Sequence, residues 1–376
     1  MKRQLVSFIK RVYDKYVSFV SGHVQAAEKP EIVYLMSFPG NDHGFIADLA
    51  VHYPITVFYT NACRSDAAAL TNVRTINLNR LSGLTTCLKK LKQVSICICD
   101  NYFALLGNID KSNGLKVIQV WHAGGAIKQF GLEDKTAQKR SESDKARFKR
   151  VYDSFDYIVV GSEKMAAVFE RSYGVSSSNI WLTGFPRTDY LIDRQAVVKE
   201  EKSKKAIVYL PTYRDQKEAT YPLDIKKMAE QLAEEYHLIV KEHPHSQWQI
   251  EELYQSSFVT YAPPETSADD LVNIADVLIT DYSSTAFDYS LVHPDGRLIF
   301  YWYDVAMYCQ TTGIQKNIEQ DFPLPVCQTT DEVIAQVLTK ESGSLAGFNQ
   351  KWNTYNDGQA SQRLIQKIKH EMSDRT

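Results

Sequence analysis

The sequence predicts an α/β protein made of two doubly wound, Rossmann-type domains, and three observations predict it. Short runs rich in Val, Ile and Tyr alternate with helix-length amphipathic segments from residue 31 to residue 302, the pattern of βα units and parallel sheets. At 376 residues the chain exceeds the roughly 250–300 residues at which single cores stop growing. A polar, charged stretch, IDRQAVVKEEKSKK at residues 192–205, divides the strand runs into two sets,.

In chain order, the first set is EIVYLMSF, ITVFYT, VSICICD, LKVIQVWHA, YIVVGS and NIWLTGF. The second is KAIVYLP, LIVKEH, FVTYA, VLITDY and RLIFYW. The expected domains are therefore residues 1–191 and 192–376. The last segment, FNQKWNTYNDGQASQRLIQKIKHEM, reads as helix after a turn and can pack back across the first domain,. At the other end, MKRQLVSFIKRVYDKYVSFV has a basic head, but Lys10, Arg11, Asp14 and Lys15 interrupt its apolar run, so it does not read as a secretion signal,. Its first 16 residues carry five basic side chains and one acidic, interleaved with Leu5, Val6, Phe8, Ile9, Val12 and Tyr13 at helical spacing. Such a helix lies either in an anionic membrane interface or on a solvated face. Residues 128–150, with eight Lys or Arg and four Asp or Glu, pose the same choice.

Composition narrows the classes. The 44% hydrophobic and 23% charged fractions are those of a globular protein,, and no uninterrupted apolar run approaches the roughly 20 residues that span a bilayer. A net charge of −2 argues against a nucleic-acid-coating protein,. Cys97 and Cys99 fall on one face of a strand, and with the other four scattered cysteines they read as buried thiols of a reducing compartment,. Nothing asks for a metal or another cofactor.

Ligands of open α/β sheets collect at the carboxyl ends of the strands. There the sequence places Trp121-His122-Ala123-Gly124-Gly125, Pro186-Arg187-Thr188-Asp189, Pro211-Thr212-Tyr213-Arg214-Asp215, Lys241-Glu242-His243-Pro244-His245 and Thr280-Asp281-Tyr282-Ser283-Ser284-Thr285. These five polar loops are expected to converge on one cleft.

The motifs CDNYF, VWHAGGAIKQFG, GFPRTD, LPTYRD, KEHPH and ITDYSSTAFDYSL, in this order, resemble those of the CDP-glycerol glycerophosphotransferases of teichoic acid synthesis. The resemblance implies a GT-B arrangement, with the two domains facing a central cleft. It also implies a peripheral enzyme on the cytoplasmic face of the cell membrane, and transfer of glycerol phosphate from CDP-glycerol to a lipid-linked acceptor with release of CMP. WHAGGAIK stands where the polymerases of the family typically show a WHG-T-P-K pattern, and little precedes the two core domains. The chain is thus more similar to members that add the first unit to an undecaprenyl-diphosphate-linked ManNAc-GlcNAc disaccharide. A poly(glycerol phosphate), ribitol phosphate or capsule polymerase stays open, as do a nucleotide-sugar GT-B glycosyltransferase and a non-catalytic scaffold.

By the resemblance, His122 and His243 are the catalytic histidines and His245 a weaker candidate. Histidine also suits base catalysis near neutral pH on its own chemistry, although a core histidine stacked on Trp121 is the bland alternative. Gly124 and Gly125 are expected to leave backbone amides open to a phosphoryl group or acceptor hydroxyl. Ser283, Ser284 and Thr285, where a strand turns into a helix, offer hydroxyls and helix amides to a diphosphate, or simple N-caps. Arg214, beside Thr212, offers a planar fork to phosphate or pairs with Asp215 or another carboxylate. Asp281 would repel phosphate and is expected to orient a neighbouring hydroxyl or amide, or to meet the glycerol hydroxyls of the substrate. Arg187 and Asp189 line the cleft or form an ion pair, and Asp42 and His43 serve the acceptor or a turn. Trp121 and Tyr102 offer an apolar face to a sugar ring, or belong to the core.

Overall fold

Parallel strands covered on both faces require nearly continuous apolar sequence, and VSICIC, buried at all six residues, supplies it. The computed structural model describes residues 2–24, 29–194, 203–214, 220–243, 245–249, 252–339 and 344–373. By packing they form two units. The first comprises Met1–His122, Ala137–Tyr190 and Tyr355–Thr376, and the second Ala123–Thr136 and Leu191–Thr354. This division differs from a single cut at residue 191 in two segments: the loop after His122 packs with the second unit, and the C-terminal helix with the first.

The first unit holds β1 (Lys29–Met36), β2 (Ile55–Tyr59), β3 (Arg74–Asn77), β4 (Val94–Cys99), β5 (Lys116–Gln119), β6 (Tyr157–Val160) and β7 (Ile180–Leu182). They form one sheet in the order β3-β2-β1-β4-β5-β6-β7, with every pairing parallel. All six strands expected in this half are present. β3, which sequence reading missed, is an edge strand, RTIN, that is nowhere fully buried, so it lacks the apolar run that marks its neighbours.

The second unit holds β8 (Lys205–Leu210), β9 (Tyr236–Val240), β10 (Val259–Tyr261), β11 (Val277–Thr280) and β12 (Arg297–Phe300) in the parallel order β10-β9-β8-β11-β12. Its core gathers Ile207, Leu238, Val240, Ile279 and Ile299 from the sheet and Met228, Leu232, Val333 and Val337 from helices. In each sheet the strand order reverses direction once, between β1 and β4 and between β8 and β11. Such switch points open a crevice at the strands' carboxyl ends.

The helix Lys2–Gly22 packs one face on the first unit, where Val17 and Ser21 are buried. Its acidic residue faces the same way: Asp14 accepts from Arg147 Nε at 3.0 Å, and Lys10 donates to Asp144 at 2.5 Å. Part of the basic stretch 128–150 is therefore spent on holding this helix. At the other terminus, Asp189 accepts from the amides of Ala360 (3.0 Å) and Ser361 (2.7 Å). It thereby caps the helix Ala360–Ser373, offsetting amides that a helix start leaves unpaired. Asp189 thus has a structural role within the first unit. No described helix is long and apolar enough to cross a membrane.

Candidate active site

At the switch point of the first sheet, β4 runs directly into Asp100, which is 1% exposed. Its carboxylate accepts from Ser37 N (2.9 Å), Phe38 N (3.0 Å) and Ser37 Oγ (3.1 Å), which fixes the turn that follows β1. Burial pushes the Asp100 pKa up to about 6, against the pull of those same hydrogen bonds,. The turn so fixed lays the Phe38 ring on His122, with centroids 4.2 Å apart and planes 14° from parallel. The Asp100 carbonyl oxygen lies 3.0 Å from His122 Nδ1. A carbonyl only accepts, so Nδ1 carries the proton and Nε2 keeps its lone pair.

His122 is carried there by a strained residue. Trp121 has φ 58°, a left-handed backbone that costs a bulky residue about 1–2 kcal/mol. Side chains hold both of its backbone polar groups: its N–H donates to Gln119 Oε1 and its carbonyl accepts from Asn41 Nδ2, each at 2.9 Å. Gln119, fully buried, is itself tied to the Asn101 carbonyl at 2.9 Å. A strand built for burial can therefore end in a titratable ring because two amide side chains impose the turn. Tyr102 packs with its ring 4.8 Å from that of Phe148, which places it in an aromatic cluster.

Gly124 and Gly125 serve packing. Both are buried, and a Cβ on Gly125 would stand 2.5 Å from the Phe287 ring, while one on Gly124 would stand 3.3 Å from an Asp288 carboxylate oxygen. Glycine lets this loop close onto the helix Thr285–Val292.

The second switch point repeats the device of the first. Asp281, fully buried at the end of β11, accepts from Thr212 N (3.0 Å), Thr212 Oγ1 (3.1 Å) and its neighbour Tyr282 N (2.6 Å). Here a guanidinium joins in. Arg214 donates to Asp281 at 2.9 Å, to both oxygens of Asp304 at 2.6 and 3.1 Å, and to the carbonyl and hydroxyl of Thr212 at 2.9 and 2.6 Å. It also lies over the rings of Tyr282, Tyr303 and Tyr308 at 5.0–5.3 Å. Arginine has five N–H donors, and these five bonds use them all. Arg214 is therefore the keystone of a buried charge cluster, and the expected direct phosphate contact has no donor left to make it. Asp215, expected as a partner, lies outside the described residues.

Thr212 and Arg214 line a pocket of about 460 Å³ with Tyr213, His243, Tyr221 and Trp248. His243 Nδ1 accepts from the His245 amide at 3.2 Å, so its proton sits on Nε2. Burial, and then the positive charges at His245, Lys128 and Lys241, lower its pKa. Pro244, between the two histidines, lies outside the described residues. Glu242 is engaged by the Tyr221 hydroxyl and by Ser246 Oγ, and no three His, Cys, Asp or Glu among the described residues are grouped to hold a metal ion. At the start of the helix Thr285–Val292, Ser283 Oγ takes the Thr285 amide at 3.3 Å, whereas Ser284 makes no side-chain cap bond. This helix start thus offers amide and hydroxyl donors to an anion.

A histidine at the switch point of the first unit, and a set of anion-suited donors at that of the second, are each of the kind that phosphoryl transfer to a hydroxyl uses. A profile of the family described as CDP-glycerol:poly(glycerophosphate) glycerophosphotransferase matches residues 46–370. The chain belongs to this family. It is 32% identical to the teichoic acid glycerol-phosphate primase of Bacillus subtilis (strain 168), with 98% of this chain and 99% of that one covered. It is 30% identical to the same-named protein of Staphylococcus aureus (strain NCTC 8325 / PS 47), with 96% and 97% covered. A solved structure of the wall teichoic acid polymerase TagF, soaked with CDPG, superposes with a TM-score of 0.77 at 18% identity, covering 99% of this chain and 97% of that one. At that identity the likeness speaks for the fold, which is GT-B-like. The chain is thus a glycerophosphotransferase.

Sequence reading did not single out Phe38, Asn41, Gln119 or Asp304. Asp304 follows the last strand, so its place was visible; what it pairs with depends on the sheet order.

The lowered pKa of His243 is directly testable. An NMR titration of its ring should give a midpoint below the ordinary 6.5, so that the ring is neutral at pH 7. His245→Ala should move the midpoint upward by removing a positive neighbour. The unfolded chain takes this proton more readily, so His243 also costs stability as pH falls below about 6.5. A midpoint at or above 6.5 in the unaltered protein would contradict the assignment.

Proposed function

We propose that this chain adds one glycerol phosphate from CDP-glycerol to an undecaprenyl-diphosphate-linked ManNAc-GlcNAc disaccharide in wall teichoic acid synthesis, releasing CMP at the cytoplasmic face of the cell membrane. The end-to-end match to two glycerol-phosphate primases carries this reading. The geometry supports it with a base and a set of anion donors.

In the reaction, a hydroxyl of the acceptor loses its proton to His122 Nε2 as its oxygen attacks the phosphorus that bears the glycerol. The bond from that phosphorus to the bridging oxygen breaks, and CMP leaves with the oxygen and its electron pair. The Asp100 carbonyl fixes the His122 tautomer and favours the imidazolium that forms. On the donor side, His243 Nε2–H, the Ser284 hydroxyl and the first amides of the helix Thr285–Val292 hold the diphosphate. Arg214 and Asp281 act behind them by fixing the loop that carries Thr212. In this scheme His243 works as a neutral hydrogen-bond donor, because its pKa is lowered.

The lipid acceptor is met through the helix Lys2–Gly22. Leu5, Phe8, Ile9, Val12 and Phe19 are 50–62% exposed, and at 100° per residue they share one stripe, opposite Asp14. Arg11 and Lys15 flank it. An apolar stripe edged with basic residues suits a helix lying in an anionic interface.

His122→Ala should lower CMP release about 100- to 10,000-fold, and mass spectrometry of the exhausted wild-type reaction should show one glycerol phosphate per disaccharide. Wild-type turnover in the variant would overturn the base assignment, and a ladder of added units would overturn the single-addition reading. Replacing Phe8 and Ile9 with Ser should weaken sedimentation with anionic vesicles and leave turnover on a short-chain, soluble acceptor near wild type. Unchanged sedimentation would move the membrane contact elsewhere.

A further inference from the structure

Beside His122 lies a second, smaller pocket, formed within the first unit and lined by Tyr34, Asn41, Asp42, Trp121 and Arg187 among others. Three features set it apart from a packing defect. Asn41 is 7% exposed, and its Oδ1 is buried with no hydrogen-bond partner among the described residues. Its orientation is fixed, because Nδ2 donates to the Trp121 carbonyl, so Oδ1 is left as an unused acceptor. Trp121 is the strained residue that delivers His122, and strain of this kind persists where the surroundings impose it, commonly at ligand sites. Asp42 adds a half-buried carboxylate that takes the amides of Ile46 at 2.8 Å and Gly44 at 3.2 Å and retains lone pairs for further donors.

We propose that this pocket is the acceptor subsite and that it takes an uncharged, polyhydroxylated ring, with a ring hydroxyl donating to Asn41 Oδ1. This rests on the reading of the chain as a glycerophosphotransferase with His122 as base. The polar lining sets the acceptors of Asn41 and Asp42 beside the Arg187 guanidinium, so the ligand must bring both donors and acceptors, as sugar hydroxyls do. One carboxylate, Asp42, and one guanidinium, Arg187, leave the lining without net charge, which suits an uncharged ligand. Whatever fills the pocket presses on Trp121, whose ring centroid is 4.2 Å from that of His122. Occupancy and placement of the base are therefore linked.

The test is steady-state transfer from CDP-glycerol to a soluble, short-chain analogue of the lipid-linked disaccharide, with each substrate varied in turn. Asn41→Ala should raise the KM for the disaccharide at least about 10-fold and leave that for CDP-glycerol within about 2-fold. An unchanged disaccharide KM, or a fall in kcat alone, overturns the proposal. Hydrogen exchange of the unaltered protein gives an answer that needs no variant. Adding the disaccharide analogue should slow exchange at residues 41–46 and 120–122, and slowing confined to other segments overturns the proposal. Failure of the wild type to transfer glycerol phosphate to any acceptor would defeat the assigned reaction instead, and the exchange result would still decide the pocket.

Discussion

A buried carboxylate stands at the switch point of each sheet, and the loops that carry the chemistry are built on it. Asp100 and Asp281 occupy the same position in the two units, one residue past the strand that neighbours the first strand of the sheet. Each accepts the backbone amide and the hydroxyl of a residue just beyond that first strand: Ser37 in one unit, Thr212 in the other. A parallel sheet leaves the amides that follow its strands unpaired at this crevice, and an aspartate is short enough to collect them there. The two carboxylates differ in how their charge is met. Asp281 has the Arg214 guanidinium at 2.9 Å. Asp100 relies on amides and a hydroxyl, and burial raises its pKa to about 6.

From this arrangement follow the roles that residues close to the chemistry take. Arg214 is spent on Asp281 and Asp304, and losing it would leave two buried carboxylates uncompensated, a change that typically costs about 3–5 kcal/mol per broken pair. It also holds Thr212 by two bonds, which ties the loop after β8 to Asp281. Gly124 and Gly125 likewise act through packing: without side chains, the loop after His122 comes within contact of Phe287 and Asp288. His122 itself is placed by Phe38, by the Asp100 carbonyl and by the strained Trp121.

Much of this was legible in the sequence. Eleven of the strands announce themselves as apolar β-branched runs, because parallel strands are covered on both faces; β3 stayed hidden because an edge strand needs no such run. His122, His243 and the loop around Asp281 were visible as polar residues at strand ends. Sequence order could not reveal partnership. That Arg214 meets Asp304, 90 residues on, or that Asn41 reaches the carbonyl of Trp121, 80 residues on, depends on the order of strands in the sheet, which local periodicity does not encode. The glycines after His122 are ambiguous for a related reason: an absent side chain admits a ligand or a neighbouring helix, and only the fold shows that a helix comes this close.

If the Asp100 carboxylate works through His122, a double-mutant cycle on the rate of CMP release will show it. Asp100→Asn weakens the hold on Ser37 and Phe38 while keeping size and polarity. If its effect is transmitted by the histidine, the loss should be large in the native background and nearly vanish when His122 is already alanine, leaving the double variant about as active as His122→Ala alone. Equal losses in both backgrounds would mean that Asp100 supports the fold independently of the base, and would contradict the account.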